Sequence, residues 1–150
     1  MNGGINMNSI NIENRKANYD YFVLDTLECG IELKGHEIKS IKKGSCNLKD
    51  SYISIEDNEL ILIGTHIAKY DKAMDYDVAE RRNRRLLAHK QEIRSLKNKL
   101  IDNGITLIPL KMYMKNGKVK VLLGVCKGKH NYDKRQSIKE KDLKREMERY

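Results

Sequence analysis

A small antiparallel β barrel with one internal helix and a basic C-terminal extension is the fold class this sequence predicts. Three observations point there. Short β-branched, aromatic and aliphatic runs recur at residues 21–24, 31–33, 51–55, 60–63 and 105–125, broken by Gly, Asn and Asp. Only one stretch, about 78–103, places apolar residues at helical spacing over a substantial length. A doubly wound sheet would need repeated strand–helix alternation, which this pattern lacks. With 150 residues and 17.5 kDa, one domain plus a tail is expected, large enough to need no disulfide or metal staple.

Residues 1–13 are polar, Asn-rich and unpatterned, so a mobile N-terminus is expected, with the barrel over 14–126. Tyr21-Phe22-Val23-Leu24 opens the first strand. Glu28-Cys29-Gly30 reads as a turn or bulge before Ile31-Glu32-Leu33. His36 to Lys43 carries Ile38 and Ile41 among lysines and reads as a short amphipathic strand closed by Gly44. Ser51, Ile53 and Ile55 alternate on one face. Glu56 to Glu59 is turn material, and Leu60 to Ile63 reads as a strand buried on both faces. Asp77 and Glu80 have capping-box spacing for a helix over about 78–103, carrying Leu86, Ile93, Leu96, Leu100 and Ile101 and stopped by Gly104. Ile105 to Met114 returns to a strand pattern, in which Pro109, the single proline, predicts an edge or bulge. Asn116-Gly117 is a type I′ hairpin signal, and Val119, Val121, Leu123 and Val125 alternate on the return strand.

Charge is unevenly spread. The net +9 conceals an acidic first half: residues 1–80 hold nine Lys/Arg against fourteen Asp/Glu, and residues 81–150 twenty-one against seven. This asymmetry points to a polyanionic partner, nucleic acid first. Arg81, Arg82, Arg84 and Arg85 crowd the expected start of the helix, where the dipole prefers anions, so a phosphate backbone explains them better than the helix does. Lys39, Lys42, Lys43 and Lys49 form a second basic strip, and eight tyrosines offer stacking platforms for unpaired RNA bases. From Lys127 to Tyr150 the chain is a basic tail whose Ser137-Ile138-Lys139-Glu140 box predicts a helix too short to persist alone. Such a segment orders when it meets a surface.

Catalysis finds little support. His36, His66, His89 and His130 form no metal pair, and Cys29, Cys46 and Cys126 form no CxxC, so neither a zinc framework nor a disulfide is expected. Gly124 to Lys129 is one residue short of a phosphate loop and lacks the following Ser/Thr. No catalytic residue, metal or cofactor is therefore expected. No run approaches the ~18 apolar residues of a membrane span, the tail offers too little apolar face for a membrane surface, and the first residues have no secretory pattern. A cytoplasmic protein is the expectation, with no membrane or DNA partner.

The motifs become specific when taken together. Asn14-Arg15-Lys16-Ala17, Tyr19-Asp20-Tyr21-Phe22, Glu28-Cys29-Gly30-Ile31 and Gly35-His36-Glu37-Ile38-Lys39-Ser40 come first. Asn47-Leu48-Lys49-Asp50-Ser51-Tyr52, Arg84 to His89, Leu107 to Tyr113, Tyr132-Asp133-Lys134-Arg135 and Ile138 to Asp142 follow in one collinear order. The set resembles the small protein B (SmpB) family of bacterial transfer-messenger RNA (tmRNA, SsrA) binding proteins. The resemblance implies an oligonucleotide-binding-type closed barrel with flanking helices. It implies two partners: the tRNA-like domain of tmRNA, and a stalled 70S ribosome whose small-subunit RNA and vacant messenger channel receive the tail, which becomes helical there. It also implies the role, delivery of alanyl-tmRNA for trans-translation. A generic barrel-type binder of structured RNA, or a ribosome-associated protein, is the alternative.

Carried over by position, the resemblance implies RNA contacts at Asn14, Arg15, Glu28, Lys39, Ser40, Arg85, Leu87, His89 and Lys120. Glu28 would be a turn carboxylate accepting from base amino groups, and Leu87 and His89 would lie on an RNA-facing helix. Lys127, Gly128, Lys129, Tyr132, Asp133, Lys134, Arg135, Ile138 and Lys139 match the segment the family uses at the decoding centre, with Tyr132 placed to stack on a ribosomal base.

Overall fold

The computed structural model describes residues 10–70 and 79–129. In chain order these form β1 (Asn11–Glu13), α1 (Arg15–Asp20), β2 (Tyr21–Ile31), α2 (Gly35–Lys42), β3 (Cys46–Asn47), β4 (Tyr52–Glu56), β5 (Glu59–Ile63) and β6 (His66–Ile67). They continue with β7 (Arg84–Leu87), α3 (Lys90–Lys99), β8 (Ile105–Lys115) and β9 (Lys118–Gly128). The architecture is mainly β and antiparallel, with few helices. Strand order is β1-β8-β4-β5-β7-β2-β9, and β8 also pairs β9, so the ladder returns to its own start. β3 and β6 form a separate two-stranded ribbon. Among the described residues no helix is long and apolar enough to cross a membrane.

The β8–β9 hairpin is built as its turn predicts. Asn116 and Gly117 take φ of 52° and 75°, as a type I′ turn requires, and Lys115 pairs Lys118 across them. Val121 and Leu123 are fully buried, with Val119 and Val125 nearly so, and they join Leu60, Leu62, Leu86, Leu107 and Met112 in the main core. Pro109 lies at the expected bulge: it opposes Leu123, Lys111 opposes Leu122, and Leu110 is the extra residue. On its other edge β8 pairs β4 at Leu107 and β1 at Lys111 to Tyr113, so the proline falls in the gap between them. Asn14 bridges that gap. Its N–H donates to Leu110 O at 2.8 Å and its amide Nδ2 to Pro109 O at 2.9 Å, while its Oδ1 caps α1 by accepting from Ala17 N.

Several elements differ from the sequence pattern. Asn11–Glu13, expected to be mobile, pairs with β8. Glu28-Cys29-Gly30 is not a turn but the interior of β2, whose irregularity falls at Leu24 instead. Residues 35–42 are a helix rather than a strand: Glu37, Ser40 and Ile41 are the buried positions, an i, i+3, i+4 set. Leu60 and Leu62 are buried, but Ile61 and Ile63 only partly, so β5 alternates. The helix expected over 78–103 is the largest correction. Residues 84–87 form β7, in which Arg84 and Leu86 point inward and Arg85 and Leu87 outward, a period of two. The helix starts only at Lys90, where the Glu92 carboxylate accepts from His89 N–H at 2.9 Å. It also ends earlier than expected, at Lys99 with Leu100 as its C-cap, so Gly104, at φ 86°, serves the turn that follows and not the helix stop.

A buried charge network ties α2 to β7. Glu37 is 1 % exposed and accepts from Arg84 Nε at 2.7 Å, from Arg82 Nη2 and Nε at 2.5 and 3.1 Å, and from Lys34 N–H at 2.8 Å. Arg84, equally buried, also donates to Thr65 O and Glu80 O. Every proton-rich end thus has an acceptor, as a buried guanidinium requires.

Candidate nucleic-acid interface

Because directly opposed residues of an antiparallel ladder share a face, the register alone assembles a row across the outer surface. Leu87 of β7 opposes Gly30 of β2; Gly30 opposes Lys120 of β9; Lys120 opposes Tyr113 of β8. Gly30 keeps the row close-packed: a Cβ on it would lie 3.3 Å from Leu87 Cβ. Leu87 is 43 % exposed on this face. A cleft of about 510 Å³ opens between Gly30, Leu87, Lys118 and Lys120.

Glu28 lies two residues along β2 and anchors the neighbouring row. Tyr113 donates its O–H to Glu28 Oε2 at 2.5 Å, and Lys115 Nζ lies 3.3 Å from Oε1. The Tyr113 hydrogen bond, with Lys115 and Lys120 nearby, holds the Glu28 carboxyl below its ordinary range, whereas burial and Glu28 push the Tyr113 phenol up. Glu28 is therefore an ionised acceptor at neutral pH, with lone pairs to spare beside cations. Tyr113 and Lys115 were not among the residues expected from sequence. The hairpin turn places Tyr113 opposite Lys120, but only the β2–β9 register brings Glu28 beside them.

The other expected RNA contacts divide. Leu87 ends a strand and His89 is the exposed N-cap of α3, so neither lies within a helix, although both border its start. Arg85 is exposed and pairs with Glu32 at 3.3 Å and Glu59 at 3.7 Å. Arg15 is exposed at the start of α1, and Lys39 is exposed on α2, 5.5 Å from the Tyr70 ring centre, with Lys43 at 4.5 Å. Two sit inside. Asn14 is consumed by the β8 bulge, and Ser40 is fully buried, donating to Ala68 O at 2.6 Å. The four crowded arginines are likewise separated: Arg82 and Arg84 serve Glu37, Arg81 donates to Gly64 O, and only Arg85 faces outward from the strand. Their clustering in sequence reflects a buried ion network as much as a phosphate site.

Of the expected decoding segment, Lys127 and Gly128 belong to β9, opposite Phe22 and Tyr21. Lys129 donates to Asn18 O at 3.0 Å and stands 5.2 Å over the Phe22 ring. Tyr132, Asp133, Lys134, Arg135, Ile138 and Lys139, with the Ser137–Glu140 box, lie outside the described residues. Burial pushes the thiols of Cys29 and Cys46 up to about 12 and that of Cys126 to about 11, so all three are protonated and unreactive at neutral pH. Among the described residues no three His, Cys, Asp or Glu side chains converge as metal ligands would.

A largely antiparallel β body whose outer face sets exposed cations beside Leu87 and the Glu28 carboxylate belongs to the class of small polyanion-facing β proteins. The chain belongs to the SmpB protein family, whose model matches residues 11–150. An SsrA-binding protein of Limosilactobacillus reuteri is 49 % identical over 144 residues, 96 % of this chain and 92 % of that one. One from Clostridium beijerinckii is 51 % identical with the same coverage. A solved structure described as "tmRNA-SmpB: a journey to the center of the bacterial ribosome" is similar at a TM-score of 0.69 and 45 % identity, over 81 % of this chain and 85 % of that chain.

Proposed function

We propose that this protein binds transfer-messenger RNA and brings it to stalled bacterial ribosomes for trans-translation. The family match, which runs nearly end to end alongside relatives named as SsrA-binding proteins, carries the reading. The ring of pairings acts as a closed oligonucleotide-binding-type barrel. Its outer face, with Glu28, Leu87 and Lys120, meets the tRNA-like domain of the RNA. The tail beyond Lys129 enters the vacant messenger channel and takes up helix there, with Tyr132, Lys134 and Arg135 at the decoding centre. The role is one of binding and delivery in the cytoplasm, without catalysis.

Filter binding of tmRNA and of bulk tRNA at rising salt tests the first half. Preference for tmRNA, weakening with salt, is expected, and equal affinity for any structured RNA would reduce the protein to a generic binder. Replacing Tyr132, Lys134 and Arg135 together with alanine should leave tmRNA affinity nearly intact and abolish tagging of stalled chains. Loss of RNA binding in that variant would overturn the division between body and tail.

A further inference from the structure

A second cleft, of about 560 Å³, lies between the β4–β5 turn, β7 and α3. Its apolar floor includes Leu87 and Ile93, and Arg85, Lys90, Arg94 and Lys97 line it. Leu87 also walls the Gly30–Lys120 cleft, so it is the ridge between two depressions that each carry lysines. Lys90, Arg94 and Lys97 stand at i, i+4 and i+7 and project along one stripe of α3, flanking the buried Ile93. That placement works against the helix. Lys90 occupies the first turn, where the dipole repels a cation, and Arg94 is a like charge one turn on. Lys97 donates to Asn58 Oδ1 at 2.9 Å and Arg85 has its two carboxylates, but Lys90 and Arg94 have no hydrogen-bond or ion-pair partner among the described residues. Asp57 and Glu59 stand on the opposite wall, away from the α3 stripe.

We infer that Lys90 and Arg94 form a second phosphate-binding track for the same structured RNA, whose backbone crosses the Leu87 ridge from the β2–β9 cleft onto α3. The track rests on the RNA-binding reading above and extends its surface to two residues of α3 that the sequence did not single out as RNA contacts. Two cations four residues apart on a helix face are about 5–6 Å apart at Cβ, within reach of neighbouring phosphates along one strand. The cleft has no aromatic lining, so it favours backbone over stacked bases and adds affinity more than sequence preference.

The test is the salt dependence of tmRNA affinity for the full-length protein and for Lys90→Gln/Arg94→Gln. Each lost phosphate contact lowers the slope of log K against log salt by about one unit, so the double variant should lose roughly two and bind about tenfold more weakly at moderate salt. Both positions are exposed, so the variant should melt at or slightly above the wild-type temperature. The swap Lys90→Arg/Arg94→Lys should restore the slope. A double variant with unaltered slope, while the wild type binds tmRNA, overturns the track and leaves the RNA-binding reading intact. A wild type that does not bind tmRNA at all overturns both. A variant with normal RNA affinity that fails only to associate with ribosomes would assign the stripe to another partner and also overturn it.

Discussion

Glu37→Ala is the sharpest single test of how the body is held together. The carboxylate is 1 % exposed and accepts from Arg82, Arg84 and the Lys34 N–H, so truncation strands the Arg84 guanidinium, itself 1 % exposed, with only carbonyl partners. Removing one side of a buried pair costs about 3–5 kcal/mol. At about 2–4 °C per kcal/mol for a chain of this size, Tm should fall by roughly 6–20 °C. Glu37→Gln keeps the shape and one acceptor and should lose less, as should the paired change Glu37→Met/Arg84→Met, which removes both charges. The pH dependence carries a second signature. Burial pushes the Glu37 carboxyl up, but hydrogen bonds from Arg82, the Lys34 N–H and Arg84 outweigh it and hold the carboxyl below its ordinary range. A depressed carboxylate contributes its stability in full above the unfolded value, about 4.3, and loses it as pH falls through the lower folded value. The gap between wild type and Glu37→Gln should therefore be widest near neutrality and close below about pH 4. Circular dichroism melts of the three variants from pH 7 downward measure both effects. A Glu37→Ala protein melting within 2 °C of wild type, or a gap that widens on acidification, would refute the network's role.

Two further outcomes follow from the geometry. A Cβ at Gly124 would lie 2.7 Å from Leu110 Cδ1 and 2.8 Å from Cγ, where Leu110 is wedged with Ile108, Ala17 and Cys126, so Gly124→Val should cost about 1–3 kcal/mol in urea denaturation. Adding Leu110→Ala should recover part of that loss; no recovery would place the strain elsewhere. Tyr113→Phe removes the principal hydrogen bond to Glu28, so the Glu28 carboxyl, followed by NMR titration, should rise toward its ordinary range. An unmoved titration would make Lys115 and Lys120 the true cause of its depression.

Much of this protein was readable from local chemistry. Asn116-Gly117 specified its turn because both positions tolerate positive φ, Pro109 specified a bulge because it lacks an N–H, and four alternating aliphatics specified the inward face of β9. Each signal acts within a few residues. The acidic–basic asymmetry and the ordered motifs likewise marked the class of partner without any geometry. Tertiary structure decided the rest. Residues 35–42 and 84–87 hold apolar groups too few to distinguish a period of two from 3.6 by themselves. What joins them is tertiary: Glu37 of α2 accepts from Arg82, before β7, and from Arg84 within it, 45 and 47 residues away. Arg84 and Arg85 are adjacent in the chain, yet one is sealed inside and the other faces outward, because a strand sends successive side chains to opposite sides. The outer row of Leu87, Gly30, Lys120 and Tyr113 exists only through strand pairing. A surface assembled from residues up to ninety positions apart, Gly30 and Lys120, is a property of register, which no local pattern encodes.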